Sequence, residues 1–454
     1  MSSGFGTGSR ETAVSPIIHL YLRVISTGMK PAVPERRPVT LTIAGSDAGG
    51  GAGIQADLKT MEAAGAFATS AITAVTAQNT TGVNSSYVLP IDEIAAQCDA
   101  VFDDFDVRAI KTGMLATAEV IELVTERVAG ATAPAVVDPV MVATTGDRLL
   151  DAEAEDAYEA LIAESTLVTP NADEAEVLTD TSIETTAEAR HAGDRIVEMG
   201  ADAALVKGGH LHEDEARVVD VLVSEGDVVE FEQPRIETPA THGSGCTLSS
   251  VIAARLARGD SLVDAVEWGT SFMQSAVRYH HDVGHGDGAV HHLVELRNRA
   301  DGEATAERLA DFRTLVDEQL TGPDGAQWRL AAASAYAETE DDIATTAVEN
   351  AVSGGRAAET RRRADSIAPR LLGVRDAIPG VRFAASGTGV DPAISPDRSY
   401  RAADDRRGAC RECAETVDKL PLVFEEQGEP TVYSVFGENV ESVVRGLTAL
   451  EDGS

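Results

Sequence analysis

From Val39 onward, short apolar runs of β type alternate with longer stretches of helical periodicity. The apolar runs fall at residues 39–44, 70–75, 109–111, 135–138, 167–169, 203–207 and 218–223. Between and after them the spacing predicts helices over 54–64, 91–102, 117–128, 152–164, 187–199 and 248–256. The runs are rich in Val and Ala rather than polar at every second position, the pattern of strands buried on both faces. The expectation is an α/β fold, a mainly parallel sheet covered by helices on both sides.

This unit ends near His292 and Leu293, giving a domain over 38–294. Residues 295–312, rich in Arg, Glu, Ala and Asp, read as a helical linker or the first helix of a second unit. The rest, 313–454, is more weakly patterned. It offers a helical stretch at 344–363, a strand at 381–385, a polar loop over 386–411, strands at 420–424 and 431–436, and a helix at 440–450. That predicts a smaller α/β or α+β domain. Residues 1–37 are rich in Ser, Gly, Thr and Pro, and Met29 lies just before the first strand. The expectation is a misassigned start with translation beginning at Met29, and the alternative is a disordered extension.

Composition narrows the function classes. Among 454 residues, 75 Asp and Glu face 37 Lys and Arg, a formal net charge of −38. Nucleic acid and anionic membrane need a basic footprint, so neither is an expected partner. Lysine occurs only at positions 30, 59, 111, 207 and 419, and the other cations are Arg. An acidic surface this poor in Lys fits a halophilic protein of a salt-rich cytoplasm, where screening removes self-repulsion. Four cysteines do not make a disulfide framework, and no apolar run is long enough to span a membrane. The expected location is cytoplasmic.

Candidate chemistry gathers where strands end. The turn Gly45-Ser-Asp47-Ala-Gly-Gly-Gly-Ala-Gly53 joins the first strand to the first helix. Glycines there let backbone approach a ligand and leave helix amides free. The third glycine of a Rossmann fingerprint is replaced by Ile54, and no Gly-Lys dipeptide of a Walker loop occurs. Thr241-His242-Gly243-Ser244-Gly245-Cys246-Thr247 opens a small-residue helix, so its amides form an anion hole for a transferring phosphoryl group. Cys246, in the first helical turn, is expected to have a depressed pKa and to accept a proton as thiolate, with a buried structural cysteine as the alternative. Asp138 ends a strand where open sheets bind ligands. Asn171 and Glu174, three apart, suit Mg²⁺ or phosphate contact. Lys111 and Lys207, two scarce lysines at strand ends, look retained for a task. Five histidines fall within residues 280–292, and Cys410-x-x-Cys413 lies in the polar loop. Neither carries zinc spacing, so a metal role for either is the minor reading.

Several segments then appear together in order: Gly45 to Lys59, Thr76-Ala-Gln-Asn79, Lys111-Thr-Gly-Met114, Asp138-Pro-Val-Met141, Thr169-Pro-Asn171, Lys207-Gly-Gly-His210 and Thr241 to Thr247. Over about residues 38–294 the chain closely resembles the hydroxymethylpyrimidine/phosphomethylpyrimidine kinases of thiamine biosynthesis, which have a ribokinase-like fold. The resemblance implies ATP and Mg²⁺ as cofactors and small-molecule substrates, the hydroxymethylpyrimidine and its phosphate. It implies a pyrimidine held by Gly45, Asp57, Gln78, Met114 and Val140, with the Gln78 amide suited to an aminopyrimidine edge. ATP falls to Asp138, Asn171, Glu174 and Lys207, the metal to Asp138 and Glu174, and catalysis to Lys207, Gly243, Ser244, Gly245 and Cys246. Cys246 replaces the Asp base of ribokinases proper. Pyridoxal stays open as a side substrate, and a homodimer as an arrangement.

Segments at 332–337, 378–383, 422–430 and 434–437 are weakly similar to the ThiN-type thiamine-phosphate synthase domain. That family carries a His near a small-residue segment. Here residues 354–371 have none, and Arg361 to Arg363 stand there instead. A diverged synthase, a non-catalytic ligand sensor and an interaction surface all remain open for this domain.

Overall fold

Along β1 (Val39–Asp47), Leu41 and Ile43 alternate with Thr40 and Thr42, and all four are fully buried. A strand with no wet face belongs inside a sheet covered on both sides. A computed structural model describes residues 34–141, 149, 154, 157–211, 216–319, 327–349, 367–388, 396–401, 405–417, 420–427 and 432–452. The Met29 start, Arg361 to Arg363 and most of the 142–156 segment lie outside the described residues.

The first unit runs β1, α1 (Gly53–Ala63), β2 (Phe67–Asn79), β3 (Gly82–Val88), α2 (Ile91–Asp104), β4 (Val107–Thr112), α3 (Ala118–Ala129) and β5 (Ala135–Val137). It continues with α4 (Tyr158–Ala163), β6 (Leu167–Val168), α5 (Ala172–Thr179), α6 (Thr186–Glu198), β7 (Ala203–Val206), β8 (Arg217–Ser224), β9 (Asp227–Pro234), α7 (Ser244–Ala257) and α8 (Leu262–Arg278). The nine-stranded sheet has the order β3-β2-β1-β4-β5-β6-β7-β8-β9. Pairing is parallel from β2 through β7 and antiparallel for β3, β8 and β9. Successive residues of one strand feed opposite cores, as the pleat requires. Ile110 and Val137 pack with α3 and α4 residues such as Val124 and Leu161, while Ala109 and Val136 pack with Val251, Ile252 and Phe272 of α7 and α8.

Helices α5 and α8 are absent from the sequence pattern, and so are strands β3 and β9. β3 and β9 lie at the two sheet edges with their outer residues solvated, so neither reads as an apolar run.

Helix α9 (Val294–Gln319) joins two cores: Val294 is buried with Val290 and Phe272, whereas Leu309, Phe312 and Val316 pack on the second sheet. That second sheet is built from β10 (Gln327–Ala333), β11 (Ile343–Glu349), β12 (Phe383–Thr388), β13 (Arg398–Arg401), β14 (Leu422–Gln427) and β15 (Val432–Gly437). Its order is β11-β10-β12-β15-β14-β13, antiparallel except for β13 with β14. Helices α10 (Ile367–Ala377) and α11 (Arg406–Ala414) cover one face, and α9 and α12 (Val440–Asp452) the other.

Two expectations are corrected here. Of the helix expected over 344–363, residues 344–349 instead belong to β11, while 350–363 lie outside the described residues. The reason is that Ile-Ala-Thr-Thr-Ala-Val pairs residue for residue with β10, and pairing overrides the Ala content. The supposed loop 386–411 contains β13 and the start of α11, so Cys410 and Cys413 sit on a helix, with Cys410 buried in the core beside α10. Among the described residues, no helix is long and apolar enough to cross a membrane.

Candidate active site

At the carboxyl ends of β1, β4, β6 and β7 the chain leaves the sheet in turns, and Asp138, Val140 and Met141 follow β5. Those turns and the start of α7 enclose a cavity of about 810 Å³. The carboxyl edge of parallel strands is where an open α/β sheet leaves room for a ligand.

Lys207, at the end of β7, reaches across to Asp138 (3.1 Å) and stands 3.6 Å from Glu174. Asn171 caps α5 by accepting from the Glu174 amide (2.8 Å), while the Glu174 carboxylate accepts from the Asn171 amide (2.8 Å). This capping box fixes the Glu174 carboxylate at the helix start, where it meets Lys207. Burial works against the Lys207 charge, but Asp138 and Glu174 outweigh it and hold the ammonium above its ordinary pKa. The expected ATP-handling residues Asp138, Asn171, Glu174 and Lys207 are thus brought together.

Opposite them stands the amino end of α7. Gly243 is its N-cap, with φ of +80°, and a β-carbon there would lie 1.8 Å from the Gly51 carbonyl oxygen. Only glycine fits. A β-carbon on Gly245 would stand 3.3 Å from Lys207 Nζ and 3.5 Å from Asp138 Oδ2, so the bare backbone here closes on the ion pair. The Ser244 amide is occupied by the Thr241 carbonyl at 3.0 Å. Of the four amides expected to form an anion hole, that leaves those of Gly243, Gly245 and Cys246 as candidates at the helix end.

Cys246 lines the cavity but departs from expectation. Burial pushes its thiol up to about 11, with Asp57 and Asp138 adding to the rise and Lys111 and the Gly53 amide only partly offsetting it. Desolvation of the charged form exceeds the helix-end effect, so the residue stands as a neutral thiol rather than a thiolate at neutral pH.

Asp57 is the second correction. The resemblance placed it on the pyrimidine, but it is fully buried beneath the site and does not line the cavity. It contacts Lys111 at 2.9 and 3.0 Å and accepts from the hydroxyls of Thr42 (2.6 Å) and Ser250 (2.7 Å). The task of Lys111 is this buried pair, reached from below, with its end group at the cavity floor. Gly45, Gln78, Met114 and Val140 do line one end of the cavity.

The other end was not read from sequence. Gln233 and Pro234 at the end of β9, Arg235 and Ile236 after it, Asp220 on β8, and Thr270, Met273, Gln274 and Val277 of α8 form it. The last four recur at helical spacing, and the polar Thr270 and Gln274 beside Met273 and Val277 are a signal of a lined cavity rather than plain core. Asp47 and His242, present in the motifs without an assigned role, also line the site, 3.1 Å apart. Of the histidine group, His281 and His291 stack at 4.3 Å, and buried His292 contacts the Gly51 carbonyl at 3.0 Å.

Architecture and site together define a ribokinase-like α/β protein with a nucleotide-sized cavity at its strand ends. The chain belongs to the phosphomethylpyrimidine kinase family, whose model matches residues 47–291. It is 44% identical over 263 residues to the hydroxymethylpyrimidine/phosphomethylpyrimidine kinase of Streptomyces coelicolor, covering 58% of this chain and 97% of that one. Among solved structures, an ADP complex of Bacillus subtilis pyridoxal kinase is 33% identical, covers 58% of this chain and 99% of its own, and superposes with a TM-score of 0.54. Staphylococcus aureus pyridoxal kinase with AMP-PCP and pyridoxal is 30% identical, covering 58% and 96%, also at a TM-score of 0.54.

Proposed function

We propose that the protein transfers the γ-phosphoryl group of ATP to the hydroxymethyl oxygen of 4-amino-5-hydroxymethyl-2-methylpyrimidine, and then phosphorylates the monophosphate to the diphosphate, in thiamine biosynthesis. The observation that carries this is the convergence of three parts on one cavity. Gln78, Met114 and Val140 supply an amide and apolar faces for a small aminopyrimidine. Lys207 with Asp138 and Glu174 supplies the charges for a polyphosphate, and the Gly245–Cys246 amides supply the anion hole between them.

Phosphoryl transfer of this kind is positioning and electrostatics more than covalent chemistry. Its loose transition state needs little prior deprotonation of the acceptor. A neutral Cys246 thiol therefore acts by orienting the acceptor hydroxyl, while Lys207 and the anion hole stabilise charge on the phosphoryl oxygens. Asp138 and Glu174 are hard oxygen donors, both nearly buried, and fit Mg²⁺ as the pair of carboxylates it takes beside phosphate and water. When bound, that ion neutralises polyphosphate charge.

The test is purified protein in concentrated KCl with ATP, Mg²⁺ and hydroxymethylpyrimidine, with products followed by mass. Absence of both mono- and diphosphate would sink the kinase reading. Cys246→Ala should lower turnover about 10- to 100-fold with little change in ATP affinity, and unchanged turnover removes Cys246 from the mechanism. Pyridoxal is the second reading, favoured by likeness to two pyridoxal kinases, and a higher kcat/KM on pyridoxal would establish it. For the C-terminal domain the reading is a diverged thiamine-phosphate synthase. Adding thiazole phosphate and finding no thiamine phosphate would leave it as a sensor.

A further inference from the structure

Two glycine turns 195 positions apart in sequence meet at the floor of the cavity. One follows β1 and carries the acceptor end of the site; the other starts α7 and carries the anion hole. The Asp47 carboxylate gathers the first turn, accepting from the amides of Gly49 (2.7 Å), Gly51 (2.9 Å) and Ala52 (2.8 Å). Its Oδ2 also meets His242 Nε2 at 3.1 Å, in the residue just before the second turn. Because an ionised carboxylate only accepts, Nε2 carries the hydrogen. The turns also touch directly, with Gly243 packed on the Gly51 carbonyl. Both side chains of the pair are nearly buried, and His242 Nδ1 is buried without a partner among the described residues. A group kept in so dry a place with half of its hydrogen-bonding capacity unused costs stability, so the contact it does make carries the reason for its presence.

We propose that His242 and Asp47 are a positioning pair for phosphoryl transfer. They hold the acceptor turn and the anion-hole helix in one geometry, so that the receiving oxygen and the amides of Gly245 and Cys246 stay aligned. Neither side chain needs to touch the phosphoryl group for this. The effect runs through the two backbones they tie together, and in-line transfer is sensitive to shifts of an ångström. Gln and Asn side chains test it well. His242→Gln keeps an N–H donor aimed at Asp47, whereas His242→Ala removes it, and Asp47→Asn places an amide where the amides of the turn need an acceptor.

This inference rests on the phosphotransferase reading, and the experiment separates the two. Steady-state kinetics on wild type, His242→Ala, His242→Gln, Asp47→Asn and the double variant His242→Ala/Asp47→Asn are corrected for folded fraction by circular dichroism. In His242→Ala, kcat should fall about 10- to 100-fold while KM for ATP stays within about two-fold. His242→Gln should recover to within about five-fold of wild type, and the double variant should be no slower than the slower single one. Wild-type turnover in His242→Ala, failure of His242→Gln to recover, or losses that multiply in the double variant would each overturn the pairing. If wild type forms no product, the functional reading fails, and amide hydrogen exchange then decides the pairing alone. Lost protection at Gly51 and Ala52 in His242→Ala supports it, and unchanged protection overturns it.

Discussion

Replacing Asp57 with alanine removes a carboxylate that accepts four hydrogen bonds, two from fully buried Lys111 and one each from Thr42 and Ser250. Both side chains of the ion pair are wholly inaccessible. Lys111 carries its charge because Asp57, first, and then Asp138 offset the penalty of burial. Removing one partner of a buried pair leaves a charge with neither water nor counterion, which costs about 3–5 kcal/mol. For a unit of this size that lowers the melting midpoint by roughly 10 °C. Thermal unfolding followed by circular dichroism at constant KCl measures it. The double change Asp57→Leu with Lys111→Met removes both charges and should be less destabilising than Asp57→Ala alone. A loss below about 1 kcal/mol for Asp57→Ala, accompanied by a raised KM for the pyrimidine, would refute the burial argument and return Asp57 to the substrate.

Three further outcomes follow from the same structure. Burial, with Lys59 nearby, lowers the His292 pKa to about 4, against 6.5 for the free side chain. Between those values the unfolded chain binds a proton that the folded one does not, so stability is full above pH 6.5 and falls as pH drops toward 4. The loss is about 3 kcal/mol. His292→Gln, which keeps a donor to Gly51, should flatten that part of the urea-denaturation profile, and an unchanged slope would count against it. Gly243→Ala forces a side chain into the left-handed region and onto the Gly51 carbonyl, so expression of folded protein or turnover should collapse, as activity per folded molecule would show. The net charge of −38 predicts a melting midpoint that climbs as KCl shortens the screening length from about 10 Å at 0.1 M to about 3 Å at 1 M, and a flat response would end the halophile expectation.

Much of the first sheet was legible because its strands are buried on both faces. Burial there favours runs of Val, Ala, Leu and Ile, which β5 and β7 display without interruption and β1 with Thr40 and Thr42 between its apolar residues. The C-terminal domain was less so: β11 reads as helix by its alanines although it pairs with the preceding strand β10, and β13 reads as loop by its arginines because its partner β14 lies beyond a helix. Among site residues, Asp138, Asn171, Glu174 and Lys207 could be found because each ends a strand or caps a helix, positions that sequence marks directly.

The order of strand, glycine turn and helix, and the residue types at each strand end, were properties of the sequence by itself, since they arise from local backbone geometry and from which faces are dry. Which way a side chain turns within that frame was decided only by tertiary packing. Asp57 lies four residues beyond Gly53 and faces inward to Lys111 because a buried ammonium and two hydroxyls meet it there. Cys246 sits at a helix start, yet desolvation by the cavity walls outweighs the helix end and keeps its proton on. Asp47 meets His242 only because α7 packs against β1 and α1 across the sheet edge, so long-range contacts, not neighbours in sequence, set the chemistry of the pair.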